Sequence, residues 1–298
     1  MFDSALRNLL LSLSNNKNFE KFLINSKITK KFVNRFVAGY NLDSALEILN
    51  KLNNLNIRVT LDYLGESVLE KKEAEKTFLE YMNILKNIKS ENSISVKLTS
   101  IGLDIDKEMA YNYLKELVKV SNFIEIDMES SKYTQITIDF YKKLKTEFPN
   151  KKIAIAIQSY LKRSLNDVKE LLNYNPIIRL VKGAYKEPKE IVYEKKVDVD
   201  KNYIEILKLL LEKSNYTIIA THDEKIINFV KKMNINKEKF EFQMLYGIKF
   251  DLLLQLKNEG YKTAIYLPYG THWYPYFMRR LAERPANLGF LIKNLFSK

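Results

Sequence analysis

Tyr276, Arg279, Arg280 and Glu283 stand at i, i+3, i+4 and i+7 near the C-terminal end of the chain. On a helix that spacing gathers an aromatic ring, two guanidiniums and a carboxylate on one face. Such a face can grip an anion, or it can be a solvated surface on which Glu283 pairs with both arginines. Composition weighs on the choice. The chain has 8 Arg against 41 Lys, yet Arg279, Arg280 and Arg284 fall within six residues. A guanidinium forks onto a carboxylate through two parallel hydrogen bonds, whereas an ammonium acts as a point charge. Arg279 and Arg280 are therefore read as a carboxylate clamp.

A clamp needs a scaffold. Residues 263–266 read as the end of a strand, Pro268 and Gly270 turn the chain into the clamp helix, and Pro285 stops it. From Arg58 onward, short β-branched runs alternate with longer amphipathic stretches. The runs are 58–61, 95–98, 123–126, 153–157, 177–181, 217–220, 240–243 and 263–266. Eight such units in about 240 residues predict an α/β fold of the (β/α)8 barrel type, with the final helix over the C-terminal mouth. Residues 57–298 would form the barrel and residues 1–56 a helical segment packed on it. In that segment residues 5, 6, 9, 10 and 13 recur at helical spacing, and Asp43 is expected to cap a helix through 45–49. A doubly wound open sheet is the competing fold, but the eight glycines offer no G-x-G-x-x-G.

Barrel active sites lie at the C-terminal ends of the strands. The polar residues there are Asp62, Lys97, Asp127, Gln158, Arg179, Thr221 with His222, Gln243 and Tyr266. For Asp62 and Gln243 an interior barrel layer or a helix cap is an equally good reading. Burying Lys97, Asp127 and Arg179 together requires mutual pairing or a ligand to offset desolvation.

Composition narrows the class. There are no cysteines and only two histidines, His222 and His272. Disulfides, thiol nucleophiles and thiolate metal sites are excluded, and a histidine-built zinc site is argued against. The formal net charge of +13 comes from lysine spread over the whole chain, and no familiar nucleic-acid motif accompanies it. No apolar run reaches the roughly 18 residues that span a bilayer. The expectation is a cytoplasmic protein, soluble or peripheral on the inner face of the cell membrane.

The stretch Tyr266-Leu-Pro-Tyr-Gly-Thr-His272, followed by Tyr276, Arg279-Arg280-Leu281, Glu283 and Ala286-Asn287, resembles the C-terminal signature of the proline dehydrogenases. Arg179-Leu-Val-Lys182-Gly183-Ala184-Tyr185 matches that family's R-L-V-K-G-A-Y throughout. Weaker likenesses are Ser95-Val-Lys97-Leu-Thr99, Ile126-Asp127-Met128-Glu129, Ile157-Gln158-Ser-Tyr160, Ala220-Thr221-His222-Asp223 and Glu241-Phe-Gln-Met-Leu245-Tyr-Gly247. Asp223 departs from the family's usual Asn.

The resemblance implies FAD-dependent oxidation of L-proline to 1-pyrroline-5-carboxylate by hydride transfer to flavin N5. A quinone-type acceptor at the membrane surface and a downstream pyrroline-5-carboxylate dehydrogenase would be its partners, with neither nucleic acid nor metal. It carries catalytic roles to Asp127, Arg179 and Tyr266. Lys97, Leu245, Tyr276, Arg279 and Arg280 would contact substrate. Met128, Gln158, Arg179, Lys182, Gly183, Ala184, Thr221 and His222 would hold the cofactor, with Gly183 admitting a close backbone approach. Glu66 would gate the pocket by pairing with an arginine of the final helix, the alternative being that it caps a helix beginning near Ser67.

Overall fold

The computed structural model describes residue 16 and residues 33–283. The expected helix over residues 5–13 and the stop at Pro285 lie outside the described residues, as does the expectation for the Glu283 side chain. Helix α1 (Leu42–Asn54) precedes eight strands, β1 (Arg58–Tyr63), β2 (Ser93–Val96), β3 (Phe123–Ile126), β4 (Lys152–Gln158), β5 (Ile177–Val181), β6 (Tyr216–Ala220), β7 (Phe240–Leu245) and β8 (Lys262–Tyr269). Between them run α2 (Lys71–Asn87), α3 (Lys107–Val120), α4 (Ser131–Glu147), α5 (Ser164–Leu171), α6 (Lys196–Lys213), α7 (Glu224–Lys231) and α8 (Phe250–Asn258), and α9 (Trp273–Glu283) follows the last strand. Each strand pairs in parallel with the next and β8 pairs with β1, so the sheet closes into the expected (β/α)8 barrel.

The strands form because their aliphatic runs are buried on both faces, as in β4 with Ile153, Ile155 and Ile157 on one face and Ala154 and Ala156 on the other, while the helices cover the outside with amphipathic faces. The interior is not a purely aliphatic plug. Register sets Thr60 beside Ser93 and Ser95 beside Glu125. There Glu125 accepts from Thr60 Oγ1 and Ser93 Oγ, both at 2.7 Å, and Arg58 reaches in to Glu125 at 3.0 Å and to Glu241. Gln243 belongs to this layer, donating to Thr60 Oγ1 at 2.9 Å, and so lies below the mouth.

Three local expectations are corrected. Asn41, not Asp43, caps α1, its side chain accepting from Ser44 N at 3.0 Å. The second strand spans Ser93–Val96 rather than 95–98, because a 3₁₀ turn (Leu98–Ile101) ended by Gly102 at φ +97° pulls the chain out of the sheet and leaves Lys97 just beyond it. No helix begins near Ser67. Helix α2 starts at Lys71 with Glu70 as cap, so Glu66 has no capping role.

Helix α9 is seated by Trp273, Tyr274, Phe277, Met278 and Leu281, which pack with Val33, Phe36, Val37, Leu64 and Ile248. Residues before α1 tie the same corner down, with Ala38 N donating to Pro268 O at 2.8 Å and Gly270 N to Gly39 O at 3.0 Å. Gly247, in the turn after β7, is required at φ +76°, where a Cβ would stand 1.8 Å from the carbonyl oxygen of Arg35.

Candidate active site

Five of the strand-end residues converge. Lys97 is buried with its ammonium 2.6 Å from Asp62 and 2.7 Å from Asp127. Asp127 also accepts from Ser95 Oγ at 2.7 Å, from Tyr266 Oη at 2.8 Å and from the Arg179 guanidinium. Arg179 completes its pairing on Glu125 at 3.1 Å and lies 5.0 Å from the centre of the Tyr266 ring. Two cations, Lys97 and Arg179, thus pair with three carboxylates, Asp62, Glu125 and Asp127, in a low-dielectric interior.

The electrostatics follow from that crowding. Burial would push Asp127 up, but Lys97 and then Arg179 outweigh it and hold the carboxyl well below its usual range. Burial pushes Asp62 up, with Lys97 opposing and Asp127 adding to the rise. Lys97 is raised despite burial, because Asp127 and Asp62 both favour the ammonium. Tyr266 is raised by burial first and by Asp127 and Asp62 next, so its hydroxyl stays a donor.

Above this cluster Arg279 of α9 forks onto Glu66 in the loop after β1, at 2.7 and 3.3 Å. Burial opposes the Glu66 carboxylate, and Arg279 overcomes it, holding the group below its usual range. The Arg280 guanidinium lies 5.1 Å from the centre of the buried Tyr276 ring. Leu245 is half-buried against the α9 cluster. The arginines, Tyr276 and Leu245 thus stand on one side of the mouth, with Lys97 close enough to act electrostatically on Glu66.

The residues expected at the cofactor fall along the mouth from β3 to β6. Met128 is buried after β3, and Gln158 at the end of β4 donates to the carbonyl of Glu129 at 2.9 Å. Arg179 Nε is buried without a hydrogen-bond partner among the described residues, so a donor is left for an acceptor atom at this edge, as a flavin ring would provide. Gly183 has φ +110°, and a Cβ there would lie 2.2 Å from the Tyr160 ring. Its need for glycine is therefore met within the protein, by Tyr160. Ala184 is half-buried beside it. Lys182 is bonded to Asp200 and, at 2.7 Å, to Asp223. Thr221 Oγ1 accepts from Asp223 N at 3.1 Å, and His222 Nε2 accepts from Leu245 N at 2.9 Å. Asp223 itself caps α7 through Lys225 N at 3.0 Å.

The chain matches the family model described as proline dehydrogenase over residues 45–293. The chain belongs to the proline dehydrogenase family. It is therefore an oxidoreductase acting on a CH–NH bond, of a generally flavin-dependent kind. Proline dehydrogenase 1 of Bacillus subtilis subsp. natto is 40% identical to it over 304 residues, covering 98% of this chain and 100% of that one. Proline dehydrogenase of Deinococcus radiodurans is 36% identical, covering 99% of each. Among solved structures, proline utilization A (PutA) from Bdellovibrio bacteriovorus, inactivated by N-propargylglycine, superposes with a TM-score of 0.79 at 27% identity, covering 90% of this chain and 34% of that one.

Against this proline dehydrogenase background, three residues at the mouth, Tyr185, Thr99 and Glu129, lie outside the expected site set, and for a fourth, Asp62, the sequence leaves the site and an interior layer open. Asp62 is the second partner of Lys97. Tyr185 lies under Arg279, whose guanidinium is 5.6 Å from its ring centre, and it stands in the field of Arg279, Glu66, Glu129 and Lys97. Its place in the matched heptapeptide was the available signal. Thr99 and Glu129 are buried at the ends of the second and third units and bond to each other. No described helix is long and apolar enough to cross a membrane, and no group of three His, Cys, Asp or Glu able to hold a metal occurs among the described residues.

Proposed function

We propose that the chain oxidises L-proline to 1-pyrroline-5-carboxylate with FAD, as the first step of proline catabolism, and passes the electrons to a quinone-type acceptor. A pyrroline-5-carboxylate dehydrogenase then takes the product. The observation that carries this reading is the buried set Lys97, Asp127, Arg179 and Tyr266 beneath a helix bearing Arg279 and Arg280. Residues 57–298 form the catalytic barrel in this reading, and residues 1–56 are a segment packed against it.

The flavin, when bound, supplies the hydride acceptor. Met128, Gln158, Arg179, Lys182, Gly183, Ala184, Thr221 and His222 would hold it. The rest of the work is placement. Arg279, Arg280 and Lys97 take the substrate carboxylate, and Tyr266, Tyr276 and Leu245 wall the ring. Asp127 acts as an orienting group rather than a base. Its two oxygens accept from Ser95, Tyr266, Lys97 and Arg179, and a carboxylate held so far below its usual range takes up no proton near neutrality. The amine reacts unprotonated, losing a hydride from the carbon next to nitrogen and a proton from nitrogen to give the cyclic imine. Glu66 closes the mouth by holding Arg279 and α9 down.

The test is stoichiometric. With L-proline and a soluble quinone, one cyclic imine should form for each quinone reduced. Proline recovered unchanged would remove the reading.

A further inference from the structure

Glu129 is a buried carboxyl that the proposed reaction does not use. It follows β3, is 4% exposed, and burial pushes it up to about 7, with Thr99 opposing and Glu66 adding to the rise. Both its oxygens are committed to one residue. Thr99 N donates to Oε2 at 3.1 Å and Thr99 Oγ1 bonds Oε1. Thr99 sits in the 3₁₀ turn that follows Lys97 and is fully buried.

Thr99 in turn holds the loop that carries Glu66. Its Oγ1 accepts from Ser67 N at 2.9 Å, and its carbonyl accepts from Val68 N at 3.2 Å. At the other end of the loop Leu64 N donates to Tyr269 O at 2.8 Å. Glu66 thus hangs between two anchors. The second anchor is under demand, because Ser67 has φ +56°, a region that costs a non-glycine residue roughly 1 kcal/mol or more and persists only where neighbours impose it. The Ser67 side chain is exposed, and it is its amide and that of Val68 that bond to Thr99 and impose it.

We infer that Glu129 and Thr99 are positioning residues that fix the Glu66 loop in the geometry that meets Arg279. The relay runs from Glu129 through the Thr99 hydroxyl to the Ser67 amide, with Glu66 adjacent to that amide. It does not depend on the charge of Glu129. The ionised carboxyl accepts both Thr99 donors, and the neutral acid still accepts the amide while giving its proton to Oγ1. Glutamine can reproduce the neutral form. The consequence for turnover rests on the proline-oxidising reading above, whereas the anchoring itself does not.

Two readouts separate them. Thr99→Val keeps the shape and loses the hydroxyl, and it should raise the KM for proline about tenfold, as expected for one lost buried hydrogen bond, with kcat changed far less. Thr99→Ser and Glu129→Gln should return KM to near the wild-type value. Independently of catalysis, a glutamate-specific protease should cut after Glu66 and Glu70 faster in Thr99→Val than in wild type, Thr99→Ser or Glu129→Gln. Glu129→Ala, which removes the acceptor of both Thr99 donors, gives the same two changes even where Thr99→Val does not fold. Inactivity of the wild-type holoprotein toward proline would sink the proposed function, with the protease assay still deciding the anchor. Wild-type cleavage rates in both Thr99→Val and Glu129→Ala would overturn the inference.

Discussion

Arg279 and Glu66 form a two-pronged ion pair, at 2.7 and 3.3 Å, that joins the last described helix to the loop after the first strand across 213 positions of sequence. Because β1 and β8 are neighbours in the closed barrel, the pair ties α9 to the adjoining unit. Glu66→Ala should loosen that closure, raising the KM for proline severalfold or quickening product release, with the flavin content and visible spectrum unchanged. Steady-state kinetics with a melting curve on the same variant check it. Normal kinetics would leave the pair a structural contact only.

The clamp depends on guanidinium geometry. Arg280→Lys and Arg279→Lys keep the charge and lose the fork, so each should lower kcat/KM for proline by roughly 30- to 1000-fold, the worth of one bidentate charged contact. Either lysine variant at near wild-type kcat/KM would show that only charge matters there.

Asp127 is expected to orient Lys97, Tyr266 and Arg179 rather than to take a proton. Asp127→Asn removes the charge that balances two buried cations but keeps an acceptor. Activity should drop by about 100-fold with no shift in the acid limb of the pH profile. Loss of that limb in the variant would instead make Asp127 the base.

Glu129 sets a stability slope of unusual sign for an acid. Its ordinary value of 4.5 rises to about 7 in the folded protein. Below the lower value both states hold the proton and no stability is lost. As pH rises toward 7 the unfolded chain ionises first, so folding weakens, by about 3 kcal/mol once the folded group has also ionised. Glu66 and Asp127 are shifted down, and their contribution is lost only as pH falls below the ordinary carboxylate range, a separate window. Denaturant unfolding at pH 5 and pH 8 should therefore show a drop in wild type that Glu129→Gln largely removes. Equal slopes would mean Glu129 titrates normally.

The barrel was legible because a parallel strand buried on both faces is an uninterrupted aliphatic or β-branched run, as in Ile153–Ile157, and eight such runs at helix-length intervals, with no G-x-G-x-x-G turn, favour a closed barrel over an open sheet. Lys97, Asp127 and Arg179 stood out because charges at the ends of such runs are costly unless paired. What could not be read were partners set by the closing of the barrel. Thr99 and Glu129 are 30 positions apart, and each looks like an ordinary polar residue after a strand. Asn41 and Asp43 are both good caps by type, and only backbone direction selects Asn41. The demand for glycine at 183 came from Tyr160, in the preceding unit, which no local pattern contains.

The central claim is that the buried Lys97, Asp127, Arg179 and Tyr266 set, under Arg279 and Arg280, presents L-proline to a bound flavin. Mixing the purified holoprotein with L-proline without oxygen and recording the visible spectrum tests it most directly. The account predicts that the flavin absorbance bleaches, with saturation in proline, and that Arg280→Lys shifts that saturation to higher proline. A flavin spectrum unchanged by L-proline in the wild-type protein would contradict it.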